Sequence, residues 1–356
     1  MERYINSYAT QNDVQIALQN GELLKPYVAY IEDVDRIDWN SKEKVDYTTE
    51  YLTFNIVSAG TINWTASDTS VSGTSIDYKV NNGEWISVTS NTGSSAPTIT
   101  VNSGDKLQFR GNNTAYATNY SNHNSFGGST ASFEVEGNIM SLIYGDDFKN
   151  NSTISRSYAF VGLFKDCTKL VSAENLALPA TTLKESCYQR MFYGCSSLTT
   201  APALPATTLA DDCYNYMFAS CTSLITAPEL PATTLAISCY SYMFYICRSL
   251  TKAPELPATT LASSCYDRMF QWCASLTKAP ELPATTLASS CYNWMFYGCK
   301  NLNYIKCLAT DISASGCTDG WVNGVASTGT FVKNPNMSGW TTGKNGIPTG
   351  WTVQNA

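Results

Sequence analysis

Residues 178–203 read LPATTLKESCYQRMFYGCSSLTTAPA, and the chain repeats this 26-residue unit five times in tandem. The segment Leu-Pro-Ala-Thr-Thr-Leu begins each copy, at Leu178, Leu204, Leu230, Leu256 and Leu282. Each copy continues with Cys-Tyr-x-x-Met-Phe-x-x-Cys and then a further leucine. A fixed period over five copies indicates stacked layers, because one such unit cannot bury its apolar face alone.

The spacing within one unit predicts a helix. Cys187, Met191 and Cys195 are spaced i, i+4 and i+8, which places them on one helical face. The prolines of each unit exclude a second helix, and the Leu-Thr-x-Ala-Pro segment suits a short strand. We therefore expect a leucine-rich-repeat-like solenoid over residues 178–307, with a short strand and a helix in each repeat. Residues 141–177, which contain a degenerate repeat copy, and residues 308–356 would be its caps.

The first 140 residues differ from the repeats and predict two further domains. Residues 1–46 carry a capping box at Thr10 and a strand pattern over 25–32, which predicts a small α+β module. Because so short a segment buries little core, we expect it to dock on a partner. Residues 47–140 contain seven short alternating runs and the hairpin signal Asn82-Gly83, so they predict an all-β sandwich.

Composition excludes some classes of partner. The chain has a net charge of −7 and no basic stripe, so we expect no nucleic-acid partner. No apolar run reaches the roughly 18–20 residues that a membrane span requires. Charged residues make up 14% of the chain, whereas tyrosine and tryptophan number 22 and 8. Such a surface is typical of proteins that bind through rings and hydroxyls.

The chain has thirteen cysteines, and their spacing argues against zinc sites. From Cys187 to Cys299 the intervals alternate between eight and eighteen residues, unlike the close pairs of zinc ligands. Each of the two cysteine positions, that of Cys187 and that of Cys195, recurs once in every repeat, as a packing position does. We predict buried free thiols, with disulfides or metal ligation as the alternatives. The sequence predicts no metal and no cofactor.

No catalytic motif is visible. His123 is the only histidine and stands in residues 112–129, which we expect to form an exposed loop. The run Gly145-Asp146-Asp147 predicts a turn with an Asx cap rather than a metal-binding pair. Phosphate-loop, zinc-protease, esterase and dinucleotide motifs are all missing from the sequence, which predicts a protein that is not an enzyme. Glycosidase carboxylates follow no fixed motif, so an enzyme on a carbohydrate-binding scaffold stays an alternative.

Differences between the repeats predict a binding surface. The residues that vary are the two after Cys-Tyr and the two after Met-Phe, which would lie opposite the core face of a helix. Drift at free surface positions is one explanation, but tyrosine, tryptophan and arginine recur there, and these types are enriched at binding hot spots. The receptor-binding candidates are Arg190, Tyr193, Tyr216, Tyr242, Tyr245, Arg268, Trp272, Trp294 and Tyr297.

Two segments resemble known families. The repeat unit, with Cys187-Tyr188, Met191-Phe192 and Cys195, resembles the BspA-like class of bacterial leucine-rich repeats, and residues 329–351 look like the end found after such arrays. The opening, with Lys25-Pro-Tyr-Val-Ala-Tyr, resembles the start of virion proteins from phages of gut Bacteroidetes-type bacteria. These resemblances imply surface adhesion or host attachment and bring no catalytic residues with them. Adhesins of this class normally carry an export signal, and the stretch from Met1 shows none.

Together these features predict a phage tail fibre or similar virion appendage, assembled in the host cytoplasm. Its N-terminal module would dock on other virion proteins, and its repeats would bind a host surface glycan or glycosylated protein. A homo-oligomer remains open. The alternative is a bacterial cell-surface BspA-like adhesin.

Overall fold

The computed structural model describes residues 46–356 and, in the N-terminal part, the backbone of two short strands. These strands, β1 (Val28–Ile31) and β2 (Val34–Asp38), pair in antiparallel fashion. The helix expected after Thr10 lies outside the described residues. The chain divides into two compact units, Met1–Asp46 and Tyr47–Ala356.

The second unit begins with a six-stranded sheet. The strands of this region are β3 Leu52–Ser58, β4 Gly60–Asn63, β5 Thr65–Ala66, β6 Ser75–Val80, β7 Ile86–Thr89, β8 Thr98–Val101, β9 Lys106–Arg110, β10 Asn124–Ser125, β11 Ser132–Asn138 and β12 Leu170–Ala177. The order in the six-stranded sheet is β12-β11-β3-β9-β6-β7, and every neighbouring pair is antiparallel except β11 and β12, which run parallel. Strands β4 and β8 form one separate pair, and β5 and β10 form another. A one-turn helix, α1 (Ser141–Tyr144), and a 3-10 turn at Gly145–Asn150 follow β11.

Aromatic side chains fill the core beneath this sheet. Phe54 on β3 stacks on Phe133 of β11 with ring centroids 4.6 Å apart, and it packs against Phe126 at 4.8 Å. Phe126 in turn stacks on Phe164, so the core runs without a break into the repeats. The expectation of an exposed loop over residues 112–129 is wrong, because Tyr116 and Phe126 are fully buried.

The predicted fold class is wrong. Among residues 46–356 the one α-helix is α1, and no repeat contains a helix. An α-helix requires each N–H to bond the carbonyl four residues earlier. Here the N–H groups of Gln189 and Met191 donate to carbonyls three residues earlier. The N–H groups of Tyr188 and Arg190 donate instead to backbone carbonyls of the next repeat. In place of a leucine-rich-repeat solenoid and a sandwich, the chain has several small sheets joined to layers of consecutive turns.

The turns explain why the sequence pattern looked helical. The turns repeat every four residues, so residues at i, i+4 and i+8 lie on the same face of a run of consecutive turns. Cys187, Met191 and Cys195 accordingly lie fully buried. The backbone enters the left-handed region at every fourth residue, with φ of 53° at Ser186 and 56° at Arg190. Each such non-glycine residue costs roughly 1–2 kcal/mol, which the hydrogen bonds between layers and the buried side chains must offset.

Equivalent side chains stack in continuous ladders through these layers. We call residues 178–307 the repeat stack. One ladder consists of tyrosines with centroids 5.8–6.2 Å apart, and a second consists of phenylalanines at 5.2–5.8 Å. Both ladders end on Trp321, whose indole Nε1 donates to the Gly346 carbonyl. The tyrosine ladder contains Tyr188, Tyr214, Tyr240, Tyr266 and Tyr292; the other contains Phe164, Phe192, Phe218, Phe244, Phe270 and Phe296.

The extended segments of the repeats pair only at isolated positions, such as Thr200 with Thr226 and Thr208 with Thr234. A regular sheet forms where the repeats end. It consists of the parallel strands β13 (Tyr304–Cys307), β14 (Thr330–Lys333) and β15 (Thr352–Asn355). This sheet continues the direction of the layers into the C-terminal segment.

All thirteen cysteines are free thiols and buried. The second cysteine of each repeat donates its S–H to the carbonyl of a phenylalanine in the preceding layer, as Cys195 does to Phe164 at 3.1 Å. Burial raises the pKa of the Cys187 thiol to about 12. Because the thiolate is the reactive form, these cysteines are inert at neutral pH and serve as packing groups.

We expect thiol reactivity to report on the fold. In the folded chain, Ellman's reagent at pH 8 should find almost no reactive thiol within minutes, because burial disfavours the thiolate. After denaturation without reductant, nearly all thirteen should react. Oxidation of half or more of the thiols in protein handled without oxidant would contradict the packing role.

Candidate functional site

Five of the predicted binding residues form one column along the repeat stack. Each lies at the central left-handed position of its repeat, with φ between 51° and 56°. The backbone N–H of each bonds the next layer, as Tyr242 does to the Asp267 carbonyl at 2.8 Å. The side chains therefore emerge in register. This central column contains Arg190, Tyr216, Tyr242, Arg268 and Trp294.

The members of the central column contact one another from end to end. Tyr216 and Tyr242 stack with centroids 4.2 Å apart and ring planes 13° apart. The guanidinium of Arg190 lies 5.3 Å from the centre of the Tyr216 ring. The Arg268 guanidinium lies between two rings, 5.1 Å from Tyr242 and 5.6 Å from Trp294. Each guanidinium of the column is therefore placed to make cation–π contacts with the neighbouring rings, which are attractive.

The other four candidates flank the central column. Tyr193 lies 6.3 Å from Tyr216, and Tyr245 meets Tyr242 edge-on at 5.7 Å. Tyr297 contacts Trp294 at 4.6 Å. It also meets Trp272 edge-on at 5.1 Å. All nine predicted residues thus form one continuous surface, which we call the aromatic ridge.

Both ends of the central column are bounded by residues that the sequence reasoning missed. At one end the exposed Tyr120 lies 5.2 Å from the Arg190 guanidinium, which also reaches the Tyr120 carbonyl at 3.5 Å. At the other end Trp294 lies against Gly320, where an added Cβ would be 3.3 Å from the indole nitrogen. Tyr120 lies in a segment without repeat periodicity, so no spacing signal pointed to it.

Exposure differs among the ridge residues. Trp272 is the most exposed of the nine, at 36%, whereas the other eight are half-buried. Burial raises the pKa of the Tyr216 phenol, so it stays protonated at neutral pH. Because the stacked rings cover one another's faces, the ridge offers ring edges, phenol hydroxyls and guanidinium groups along most of its length. Trp272 adds the most open ring.

A buried polar row lies next to the central column in sequence. It consists of the residue before each column member, at positions such as Gln189, Asn215 and Asp267. The Gln189 amide donates to the Asn215 side chain at 3.2 Å. Asp267 is 9% exposed, and its burial raises its pKa to about 6 although Arg268 bonds it at 2.8 Å. One oxygen of Asp267 has no hydrogen-bond partner among the described residues.

His123 is not exposed, contrary to the sequence expectation. Its side chain is 6% exposed, and its Nδ1 lies 3.1 Å from the Ser121 carbonyl. Burial, reinforced by the positive charge of Lys165, lowers the pKa of His123 to about 4. The imidazole is therefore neutral at pH 7. It packs against Gly162, where an added Cβ would come within 2.6 Å of the ring.

Asp146, the first residue of the acidic pair after α1, bonds side chains of the six-stranded sheet. Asp146 accepts two hydrogen bonds from Arg110 at 2.8 Å and one from the Tyr51 hydroxyl. These hydrogen bonds lower the pKa of Asp146. Within residues 46–356, no group of three or more metal-ligating side chains comes together. In the described part of the chain, no helix is long and apolar enough to cross a bilayer.

Comparison of the chain with protein-family models, curated proteins and solved structures finds no match.

The buried carboxylate of the polar row predicts a stabilising substitution. Because the folded pKa of Asp267 is raised to about 6, stability is greatest when it is protonated and falls as pH rises through 6. Asp267→Asn cannot ionise, and asparagine already fills the equivalent positions 215 and 293. We expect it to raise the free energy of unfolding at pH 8 by about 1–3 kcal/mol, with the gain shrinking towards pH 4.

Urea unfolding of both proteins at pH 8 and pH 4 measures this effect. The matched control is Glu255→Gln, which removes an exposed carboxylate from the repeat stack and should change stability by less than about 0.5 kcal/mol. Equal or lower stability of Asp267→Asn at pH 8 would show that the ion pair with Arg268 outweighs the cost of burial.

Proposed function

We propose that this chain is a non-enzymatic attachment protein that binds a surface glycan or a glycosylated protein through the aromatic ridge. The observation that carries the proposal is the contact network that joins all nine ridge residues across five layers. Tyrosine, tryptophan and arginine give large contact area at low entropic cost, and their polar atoms pair with sugar hydroxyls. The ridge is long enough to contact an extended chain of sugars rather than a single one.

The fold itself does not require large residues on the flanks of the ridge. At the position of Trp272, the other four repeats carry Gly194, Ser220, Ile246 and Gly298, three of which are small. At the position of Tyr245, one repeat carries Ala219. Small residues are therefore compatible with the same backbone, and glycine suits its left-handed conformation better than tryptophan does. A binding role accounts for rings at these places better than packing does.

The buried carboxylate, histidine and thiols near the ridge support the non-enzymatic part of the proposal. Asp267 is paired with Arg268, and His123 is buried against Gly162 and the Ser121 carbonyl. The thiols of the repeat stack are buried and protonated at neutral pH. General acid–base and nucleophilic catalysis both need a group that can reach a substrate.

For the biological setting we propose a phage virion appendage. Its support is the resemblance of the opening residues to virion proteins and of the repeat unit to BspA-like adhesive repeats. In this proposal Met1–Asp46, a compact unit of its own, docks on other virion proteins, and the repeat stack faces the host. The second candidate is a bacterial cell-surface adhesin, which the adhesive repeat unit favours equally.

The ridge makes a direct binding prediction. The triple variant Tyr245→Ala/Trp272→Gly/Tyr297→Ala places at each position a residue that another repeat carries there, so the fold should be kept. We expect binding to host cells, or to the glycans that the native chain selects on a glycan array, to weaken about tenfold or more. Flow cytometry with fluorescently labelled protein measures the first, and array titration the second.

The matched control is Ile225→Thr/Ile237→Ser. It removes two apolar side chains of the repeat stack that are 51% and 52% exposed and lie outside the ridge. Both replacements occur at equivalent positions of other repeats. This control should bind like the native chain. Native-like binding by the folded triple variant would contradict the proposal that the ridge is the binding surface.

The proposed virion location and the docking role of residues 1–46 can be tested separately from glycan binding. A chain that lacks residues 1–46 should keep the cooperative unfolding of Tyr47–Ala356, because that unit has its own core. It should fail to enter particles when it replaces the native chain in an infection. Mass spectrometry of purified virions measures incorporation. Efficient incorporation of the truncated chain would contradict the docking role, and absence of the native chain from virions would favour the cell-surface adhesin.

A further inference from the structure

A concave surface lies on the extended segments of the repeat stack, away from the turns that carry the ridge. It is a cleft of about 340 Å³, formed by three consecutive extended segments in residues 251–255, 278–281 and 304–306. This volume falls at the lower end of the range for small-molecule sites, roughly 300–1,000 Å³. The cleft is therefore the size of a site for one or two sugar units.

The residues that line this cleft carry a net positive charge although the chain as a whole carries −7. Three lysines line it, and Lys306 pairs with Glu281 at 3.0 Å. Within residues 46–356, Lys252 and Lys278 have no carboxylate at ion-pair distance. The Lys278 ammonium instead lies 5.1 Å from the centre of the Tyr304 ring. The lining contains three lysines and two glutamates, Glu255 and Glu281, so its net charge is +1, and Lys252 and Lys278 are the two lysines in it without an ion pair to the described residues.

The fold does not require these two lysines. The backbone of Lys252 forms a parallel bridge with Thr226 of the preceding repeat. Thr226 forms an equivalent bridge with Thr200, so the first two repeats carry threonine at the position of Lys252. Threonine therefore satisfies the backbone at this position. Lysine occurs only in the third and fourth repeats, where the two cations fall in adjacent layers. Both lysines are exposed, so core packing does not select them, and two cations in adjacent layers beside one cleft are the placement that an anionic ligand would require.

The remaining lining indicates what kind of anion fits. Ala253, Ala279 and Pro280 give the cleft an apolar wall, and Glu255 adds an acceptor. A bare phosphate would gain from the lysines but be repelled by Glu255. A carboxylated sugar would use all three features, because it has an anionic group, an apolar ring face and hydroxyl donors.

We propose that the cleft is a binding site for an acidic sugar of the uronic acid class. Lys252 and Lys278 hold the carboxylate, the alanine and proline side chains contact the ring, and Glu255 accepts a hydroxyl proton. Lys306, paired with Glu281 at 3.0 Å, is not assigned to the ligand. This site shares no residue with the ridge, so it stands whether or not the ridge binds glycans.

The test uses the full chain with methyl glucuronide as the probe and methyl glucoside as its neutral counterpart. Saturation-transfer NMR detects binding, and titration gives the affinity. We expect the native chain to bind the glucuronide and not the glucoside. The variant Lys252→Thr/Lys278→Thr should weaken glucuronide binding by about tenfold or more, because both charge-assisted hydrogen bonds are lost. Lys252→Gln/Lys278→Gln is a second variant with the same expected result, in case the first does not fold.

The matched control, Lys184→Thr/Lys300→Thr, removes the same charge from exposed positions of the repeat stack outside the cleft. It should change the affinity by less than about twofold, since exposed charges act weakly at a distance. An equal loss in the control, equal binding of the glucoside, or full displacement by inorganic phosphate at the concentration of the glucuronide would each overturn the proposal. The ridge triple variant should bind the glucuronide normally, which separates the failure of either site from the other.

Discussion

Every second N–H in the turn segments of the five repeats donates to a carbonyl 25 residues further along the chain, and the structure of the repeats depends on this hydrogen bond. Tyr188 to Cys213 and Phe192 to Met217 are two examples. The bond replaces the intrasegment bond that a helix would make. It also requires turn segments of equal length, because one residue inserted within a segment would bring the wrong group opposite each donor beyond it. The length of chain between turn segments is less restricted, since Phe160 in the degenerate copy donates to a carbonyl 27 residues further along.

The same hydrogen bonds determine which side chains face inwards and which outwards. Turns of fixed geometry bury at least two residues in every four, and the layers keep buried and outward positions in register. Inward positions then become ladders of identical groups, such as the stacked tyrosines and the thiols that donate to carbonyls. Outward positions become columns. A mutation at one surface position therefore changes one rung of a column without disturbing the ladder behind it.

Register also explains how one scaffold carries two different surfaces. The turn segments align large rings and guanidinium groups, whereas the extended segments align lysines in two adjacent layers. At both places other repeats carry small or neutral residues on the same backbone, such as Gly298 in place of Trp272 and Thr226 in place of Lys252. The chemistry of each surface is thus free to vary while the core remains constant. That separation suits a protein whose partners differ in chemical class.

The sequence by itself determined the period, the buried residues of each repeat and the nine residues that the structure brings into one ridge. These features could be predicted because burial and register depend on the spacing of residues along the chain, which the sequence shows directly. The tertiary structure decided the backbone: turns instead of helices, small sheets instead of a sandwich, and a buried His123. Over the nine residues from Cys187 to Cys195, a turn that repeats every 4 residues and a helix that repeats every 3.6 residues bury nearly the same positions. The pattern of apolar residues alone could therefore not distinguish turns from a helix. The cleft and the contact of Tyr120 with Arg190 join segments distant in sequence, and only folding brings them together.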